Sequence, residues 1–412
     1  MKRVVMIAFH YPPFSGGSGI QRTLKFSRYL PDYDWQPIIL TAHARAYPQI
    51  ADDQLAEIPS GIQVTRAFAW DSGRHLSVRG VYPRWMALPD RWVSWWFGAV
   101  LAGLQLIYKH RPDIIWSTYP IATAHLIGLT LHRLSGIPWI ADFRDSMTEE
   151  NYPRDPLTRS SYRWIERKVV KHGTCLIFTA TSTLDMYLTR YPSLCPNHCL
   201  VIPNGYDEED FEGLTIPSAN LHSHPMRLLH AGVLYPDDRD PRAFFRALAR
   251  LKQDGLTDVK NLSVDLRAAG SESYYSGMLK ELAIDDLVHL LPALPHRQAL
   301  QDCADADGLL LFQAASCNHQ IPAKVYEYLR LRKPILALTD ATGDTAALLR
   351  ETGGATIVDL ADEQAIYLAL PQFLRSAGQG RHPMPDQEQV GRYARSNQAS
   401  ELASCLSRLT HQ

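Results

Sequence analysis

Short, largely apolar runs recur along this chain, several of them followed by a stretch of helical periodicity. Residues 4–9, 37–40, 113–118, 139–141, 176–179 and 200–205 form a first series. Residues 227–232, 262–268, 288–291, 307–312 and 335–338 form a second. A strand with one wet face alternates apolar and polar residues. The run at 4–9 does not alternate, so both of its faces are buried, as in a parallel sheet. Helix patterns fall between them, at 20–30, 121–134, 243–251 and 365–374. With 412 residues the chain is too long for one hydrophobic core. Strand–helix alternation run through twice predicts an α/β chain of two doubly wound, Rossmann-like domains facing a central cleft. The expected boundaries are 1–205, a polar linker at 206–225 that holds Pro217 and Pro225, a second domain at 226–375, and a tail at 376–412 that is helical over 388–409.

The net charge of −1 argues against a nucleic-acid binder working by bulk charge. The six cysteines form no C-x-x-C pair, and free thiols in a reducing cytoplasm account for them. The start, MKRVVMIAFH, reads as a first strand rather than a signal peptide. Residues 82–96 gather Trp85, Trp92, Trp95 and Trp96, with Arg79, Arg84 and Arg91 close by. Two readings stay open there: a buried helix that continues to Tyr108, or a basic, aromatic edge facing a membrane. The apolar part is too short to span a bilayer.

Residues 319–334, HQIPAKVYEYLRLRKP, carry the most chemistry. Pro322 suits a helix start, where its missing N–H costs least. The amides after it, at Ala323 and Lys324, lack helical partners and favour an anion. Lys324 adds a full charge. Glu327, one turn on, suits the hydroxyls of a ribose. A surface Lys–Glu pair is the plain alternative. In the first half, a glycine loop with Gly16, Gly17 and Gly19 follows the first strand and precedes a helix, as a phosphate cradle does. It is not the dinucleotide fingerprint, because Arg22 stands where the last glycine belongs. DFRDS, with Asp142, Arg144 and Asp145, follows the strand at 139–141, where open α/β sheets place their sites. An Arg–Asp pair that pins the loop is the alternative. Asp238/Asp240 and Asp305/Asp307 fit D-x-D by spacing alone, and no metal is assigned.

P-x-K-x-x-E-Y-L at 322–329, followed by K-P-I-L at 333–336, resembles the nucleotide-sugar segment of retaining glycosyltransferases of family 4, as found in bacterial members that build surface polysaccharides. I-P-N-G-x-D at 202–207, with Phe211 soon after, is a second signature. The family pattern is Glu, seven residues, Glu. Glu327 matches the second, and His319 stands at the first. Family members also carry an Arg just after the glycine at 232 and a Lys a turn later. Here Val233 replaces the Arg and Arg239 stands for the Lys. The His usual near Arg144 is missing.

The resemblance implies the GT-B fold, with an acceptor-side first domain, a donor-binding second domain and a last helix that crosses back to the first. It implies a metal-independent transferase that moves a sugar, with retention, from a UDP- or GDP-linked donor to a glycan or lipid-linked acceptor. There is no cofactor beyond that substrate. The catalytic set would be Arg239, Lys324, Asp142 and Arg144. The donor would meet Gly16, Gly17, Gly19, Gly232 and Arg242, then His319, Pro322, Ala323, Glu327 and Thr345, the last of these starting a helix. His10, Asp145 and Asn204 would lie on the acceptor side. The expected setting is the cytoplasm, with peripheral contact at the inner membrane. The departures from the pattern leave two other readings: a GT-B hydrolase or epimerase acting on a nucleotide sugar, and a non-catalytic nucleotide-sugar binder.

Overall fold

The computed structural model describes every residue except 16–18, 52–53, 151, 218–224, 237–238, 259 and 411–412. The chain divides into two compact units, residues 1–204 with 395–412, and residues 205–394. In the first unit the elements run β1 (Lys2–Ile7), α1 (Gly19–Tyr29), β2 (Trp35–Ala42), β3 (Gln63–Ala67), α2 (Ser72–His75), α3 (Trp95–His110), β4 (Ile114–Thr118), α4 (Ala122–Ser135), β5 (Trp139–Phe143), α5 (Pro156–His172), β6 (Cys175–Phe178), α6 (Thr181–Arg190) and β7 (Cys199–Val201). The second unit holds β8 (Met226–Ala231), α7 (Arg242–Gln253), β9 (Leu262–Arg267), α8 (Glu272–Glu281), β10 (Val288–Leu291), α9 (His296–Asp305), β11 (Gly308–Gln313), α10 (Lys324–Leu331), β12 (Ile335–Thr339), α11 (Asp344–Thr352), β13 (Ala355–Val358), α12 (Glu363–Gly378) and α13 (Gln387–Gly391). The final helix, α14 (Arg395–Thr410), belongs to the first unit.

Both sheets are wholly parallel. Their orders are β3-β2-β1-β4-β5-β6-β7 and β10-β9-β8-β11-β12-β13. Strands β4, β5, β11 and β12 are buried along their whole length, and β1 from Val4 to Ile7, which is why their sequences are mostly apolar without alternation. In each sheet the strand order reverses beside the unit's first strand, between β1 and β4 and between β8 and β11. Ligand crevices of such sheets lie at the carboxyl ends of the strands at this switch point. Each unit's candidate residues are therefore sought at its own switch point, in the loop after β1 for the first and after β8 for the second. Helix α14 packs Ala399, Leu402, Ala403 and Leu406 into the first core, beside α1. Trp35 Nε1 donates to Ser407 Oγ (3.1 Å) and Lys2 Nζ to Thr410 Oγ1 (2.7 Å), fixing the helix across the start of the sheet.

Two expectations need correction, and one open reading is decided in favour of the buried helix. The helical tail is two helices, since α13 and α14 are separated by 392–394 and lie in different units. Strand β5 runs on through Phe143, so Asp142 is a sheet residue and not part of the loop. The tryptophan-rich segment is mostly core: Trp95 is fully buried, and Trp92 and Trp96 pack against the same cluster. Only Trp85 is open, at 70 % exposure. Arg84 pairs with Asp155 and Arg91 with Asp71, so the segment's charge is largely spent on local ion pairs. Pattern reading also passed over β3, α6, α8 and α9. These are short or mixed in polarity, and tertiary burial rather than periodicity makes them regular. The segment after β7 carries Tyr206 and Phe211 into the second unit's core.

Candidate functional site

In the second unit, β8 delivers His230 and Gly232 to the switch point, and α10 is held against it. The Tyr328 hydroxyl accepts from the Ala231 amide (3.1 Å), which docks the helix on the strand end. Gly232 has φ +119°, and a Cβ built there would lie 2.7 Å from Lys324 Nζ. Only glycine gives both the backbone angle and the lane through which the lysine passes. Lys324 Nζ sits 3.2 Å from His230 Nε2. His230 Nδ1 lies 2.9 Å from the Leu310 carbonyl, so Nδ1 carries the proton and Nε2 offers a lone pair to the ammonium. Burial, then the Lys324 charge, holds the His230 value well below that of an ordinary imidazole, so the ring stays neutral. Burial, helped by the nearby Arg239 charge, pulls Lys324 down to about 7. An anion placed beside it would restore the charge.

Arg239 folds back over its own loop. Its Nη1 donates to the Val233 carbonyl (3.0 Å), its guanidinium lies 5.4 Å from the Tyr235 ring centre, and it has no carboxylate partner among the described residues. Arg242 differs, because Asp240 Oδ2 accepts from its Nε at 2.6 Å. Glu327, in the first turn of α10, lies 3.2 Å from His296 Nε2 on α9. Pro322 and Ala323 precede that helix, with Ala323 as the N-cap residue. His319 lies on the loop from β11, which is tied down by Gln313 Nε2 donating to the carbonyls of Cys317 and Gln320 (both 2.7 Å). Thr345 is not the helix start. The cap of α11 is Gly343, and Thr345 is buried with its hydroxyl directed at the Gln320 carbonyl (3.4 Å).

In the first unit, Gly16 and Gly17 lie outside the described residues. Gly19 opens α1, and a Cβ there would meet His10 Nδ1 at 2.6 Å and Arg144 Nη1 at 2.9 Å. His10, Gly19 and Arg144 therefore converge at the carboxyl ends of β1 and β5. Arg144 Nη1 donates to the Gly19 carbonyl (3.1 Å). Among the described residues, neither His10 Nδ1 nor Arg144 Nε, both buried, has a hydrogen-bond partner. Burial, with Arg144 beside it, takes His10 down to about 3 and leaves it neutral. Burial raises the Asp145 value, opposed by Arg144. Asp142 sits elsewhere in the chemistry. Arg22 Nη2 donates to its Oδ1 (2.7 Å) and Thr118 Oγ1 to its Oδ2 (2.7 Å), and both members of the Arg22–Asp142 pair are fully buried. The pinning pair of this region is thus Arg22–Asp142. Arg22 also donates to the Pro203 carbonyl (3.0 Å) and Gln398 to the Asn204 carbonyl (2.9 Å), so the I-P-N-G turn is anchored inside the first unit.

Sequence reasoning missed His230, His296 and the role of Arg22. The signal for Arg22 was present, because it is the residue that breaks the glycine fingerprint. Among the described residues no three His, Cys, Asp or Glu side chains gather as metal ligands, and no helix is long and apolar enough to cross a membrane. A cavity of about 1060 Å³ opens where β8 and β12 begin, beside Met226 and Pro334, at the opposite edge of the second sheet from these residues.

Residues 18–205 match the sequence profile of a glycosyl transferase 4-like domain. That match lies almost wholly within the first unit. The whole chain has the GT-B fold. It superposes on sucrose-phosphate synthase from Thermosynechococcus elongatus with a TM-score of 0.66 at 15 % identity, covering 100 % of both chains. HepE from Anabaena, solved with UDP and glucose, gives 0.67 at 13 % identity, covering 99 % of this chain and 100 % of that one. The lipopolysaccharide outer core galactosyltransferase WaaB gives 0.63 at 11 % identity, covering 98 % and 99 %. No curated protein sequence matches this chain.

Proposed function

We propose that this protein transfers a sugar, with retention and without a metal ion, from a UDP- or GDP-linked donor to a glycan or lipid-linked acceptor in bacterial polysaccharide synthesis. The observation that carries the reading is the Lys324 ammonium on the neutral His230 ring, at the N-terminus of α10, with Glu327 one turn on. Breaking a sugar–phosphate bond leaves extra charge on the departing diphosphate. Fixed cations and helix N–H groups stabilise that charge more than the ground state, which is what lowers a barrier. Lys324, Arg239 and the first amides of α10 supply the positive charge that a divalent ion gives other transferases. Glu327 accepts from the ribose hydroxyls. No side chain of the site is placed as a covalent nucleophile, which suits departure and attack on one face of the sugar. His10, Arg144 and Asp145 are the acceptor-side groups.

Incubation with UDP- and GDP-sugars and an acceptor extract, followed by product analysis, tests the reading. Transfer to lipid-linked or oligosaccharide acceptors that persists after chelator treatment supports it. Free sugar or an epimer as the sole product, or nucleotide binding without turnover, would replace it with one of the two other readings.

A further inference from the structure

The tryptophan segment is mostly core, whereas an adjacent face of the first unit carries exposed aromatic and basic side chains. Connections β3–α3–β4, β4–α4–β5 and β5–α5–β6 all step the same way across the sheet. Right-handed crossovers therefore place α3, α4 and α5 on one face. They pack side by side: a Cβ at Gly103 of α3 would come within 2.5 Å of Leu131 on α4, and α4 rests on α5.

Helix α3 turns an apolar stripe outward. Phe97 is 63 % exposed, Leu101 67 % and Tyr108 88 %, at helical spacing. On α4, Leu134 is 63 % exposed. Trp164 of α5 is open at 45 %, with Lys168 Nζ 5.6 Å from its ring centre. Lys109, Arg133, Arg163, Arg167 and Lys171 are exposed around these groups, and none of them meets a carboxylate among the described residues. The three helices contain a single acidic residue, Glu166, which is fully buried under Thr148, Tyr187 and Tyr191. Burial and then the charges of Arg133, Lys171 and Lys168 depress His172, as expected where the ends of α4 and α5 crowd cations together. Helix dipoles account for basic residues in last turns, but not for Arg163 and Arg167 in mid-helix or for the stripe on α3. On a chain of net charge −1, such segregation is local.

We propose that the outer face of α3, α4 and α5 docks on a bilayer surface containing anionic lipids. Aromatic and leucine side chains enter the headgroup boundary while the cations meet lipid phosphates. A second copy of this chain fits the face poorly, because two-fold pairing would oppose the same unpaired cations. The surface deepens the lipid-linked-acceptor reading, yet flotation needs no turnover. A protein that floats and transfers nothing would refute the activity and leave the surface standing.

The test is flotation of the full chain with vesicles of phosphatidylcholine alone or mixed with phosphatidylglycerol, at low and high salt. Binding should require the anionic lipid and weaken with salt. Arg163→Ser/Arg167→Ser should lower partitioning about 25-fold, at about fivefold per cation. Leu101→Ser/Tyr108→Ser should remove the part that survives high salt. Both variants should melt like the parent, since all four side chains are exposed. Failure of the parent to float with anionic vesicles overturns the proposal, as does equal flotation of parent and both variants. A dimer by light scattering that Leu101→Ser/Tyr108→Ser dissolves would assign the face to a second copy instead.

Discussion

Lys324 gives the sharpest test of the proposed donor site. In the free protein desolvation, helped by the Arg239 charge, pulls its ammonium from 10.5 down to about 7. The other titratable groups packed on it stay silent near neutrality: burial keeps His230 neutral, lifts Cys303 to about 12 and raises Tyr328 well above its usual range. A diphosphate beside Lys324 would favour the charged form, so binding above pH 7 must take up a proton. At about pH 8 roughly nine in ten free molecules carry the neutral amine, so uptake should be ~0.9 proton, with affinity falling about tenfold per pH unit above 7. A nucleotide sugar is the right probe, because its diester phosphates do not themselves titrate in this range. Calorimetry in buffers of differing ionisation heat counts the proton directly. Lys324→Met should abolish the uptake and weaken binding by about 1.5–3 kcal/mol, the worth of a hydrogen bond to a charged group. It should also raise the melting temperature at neutral pH. The sign follows from the depressed value. Between about 7 and 10.5 the unfolded chain holds a proton the folded one lacks, so stability rises with pH across that window, and below it the full cost of the buried charge is felt. Affinity independent of pH from about 6 to 9, with no proton taken up, would refute the argument.

Three further outcomes are expected. Glu327→Ala should weaken nucleotide-sugar binding by about 1–3 kcal/mol, whereas His296→Ala, which frees the same carboxylate, should not weaken it; calorimetry on both variants checks this. Arg239→Ala should cut turnover about 100-fold, the scale of one lost charge-stabilising donor, while Arg242→Ala should be nearly silent because Asp240 already neutralises it; steady-state rates that reverse this order would exchange the two roles. Asp142→Ala should destabilise the protein by about 3–5 kcal/mol, since it leaves the Arg22 guanidinium buried and unpaired; urea unfolding reads the loss directly.

The architecture was legible because parallel strands buried on both faces leave a signature that few other structures share, and because Pro322 marks where α10 begins. Helices α8 and α9 left no comparable mark, and with α9 went His296, whose partner Glu327 is 31 residues away in sequence. His230 was hidden for a related reason. As a letter it is one polar residue in an apolar run, and it acquires meaning only when β11 supplies the Leu310 carbonyl to one nitrogen and α10 brings Lys324 to the other. Both partners are distant in the chain.

The D-F-R-D segment shows where pattern reading cannot separate support from chemistry. Asp142, Arg144 and Asp145 are adjacent letters with equal claims on an active site. Burial alone does not divide them, since Asp142 and Arg144 are both buried. Hydrogen bonding does. Both oxygens of Asp142 are occupied by Arg22 and Thr118, so taking up a proton or a substrate hydroxyl there would first break a desolvated ion pair. Among the described residues Arg144 keeps a buried Nε without a partner, beside a His10 Nδ1 in the same condition. Buried polar groups are rarely left unpaired in a native protein, because each costs about 1–3 kcal/mol. His10 and Arg144, which converge at Gly19, thus keep polar atoms of the kind that Asp142 has already committed. Hydrogen bonding thus assigns Asp142 to support: it fixes Arg22, which in turn donates to the Pro203 carbonyl of the I-P-N-G turn.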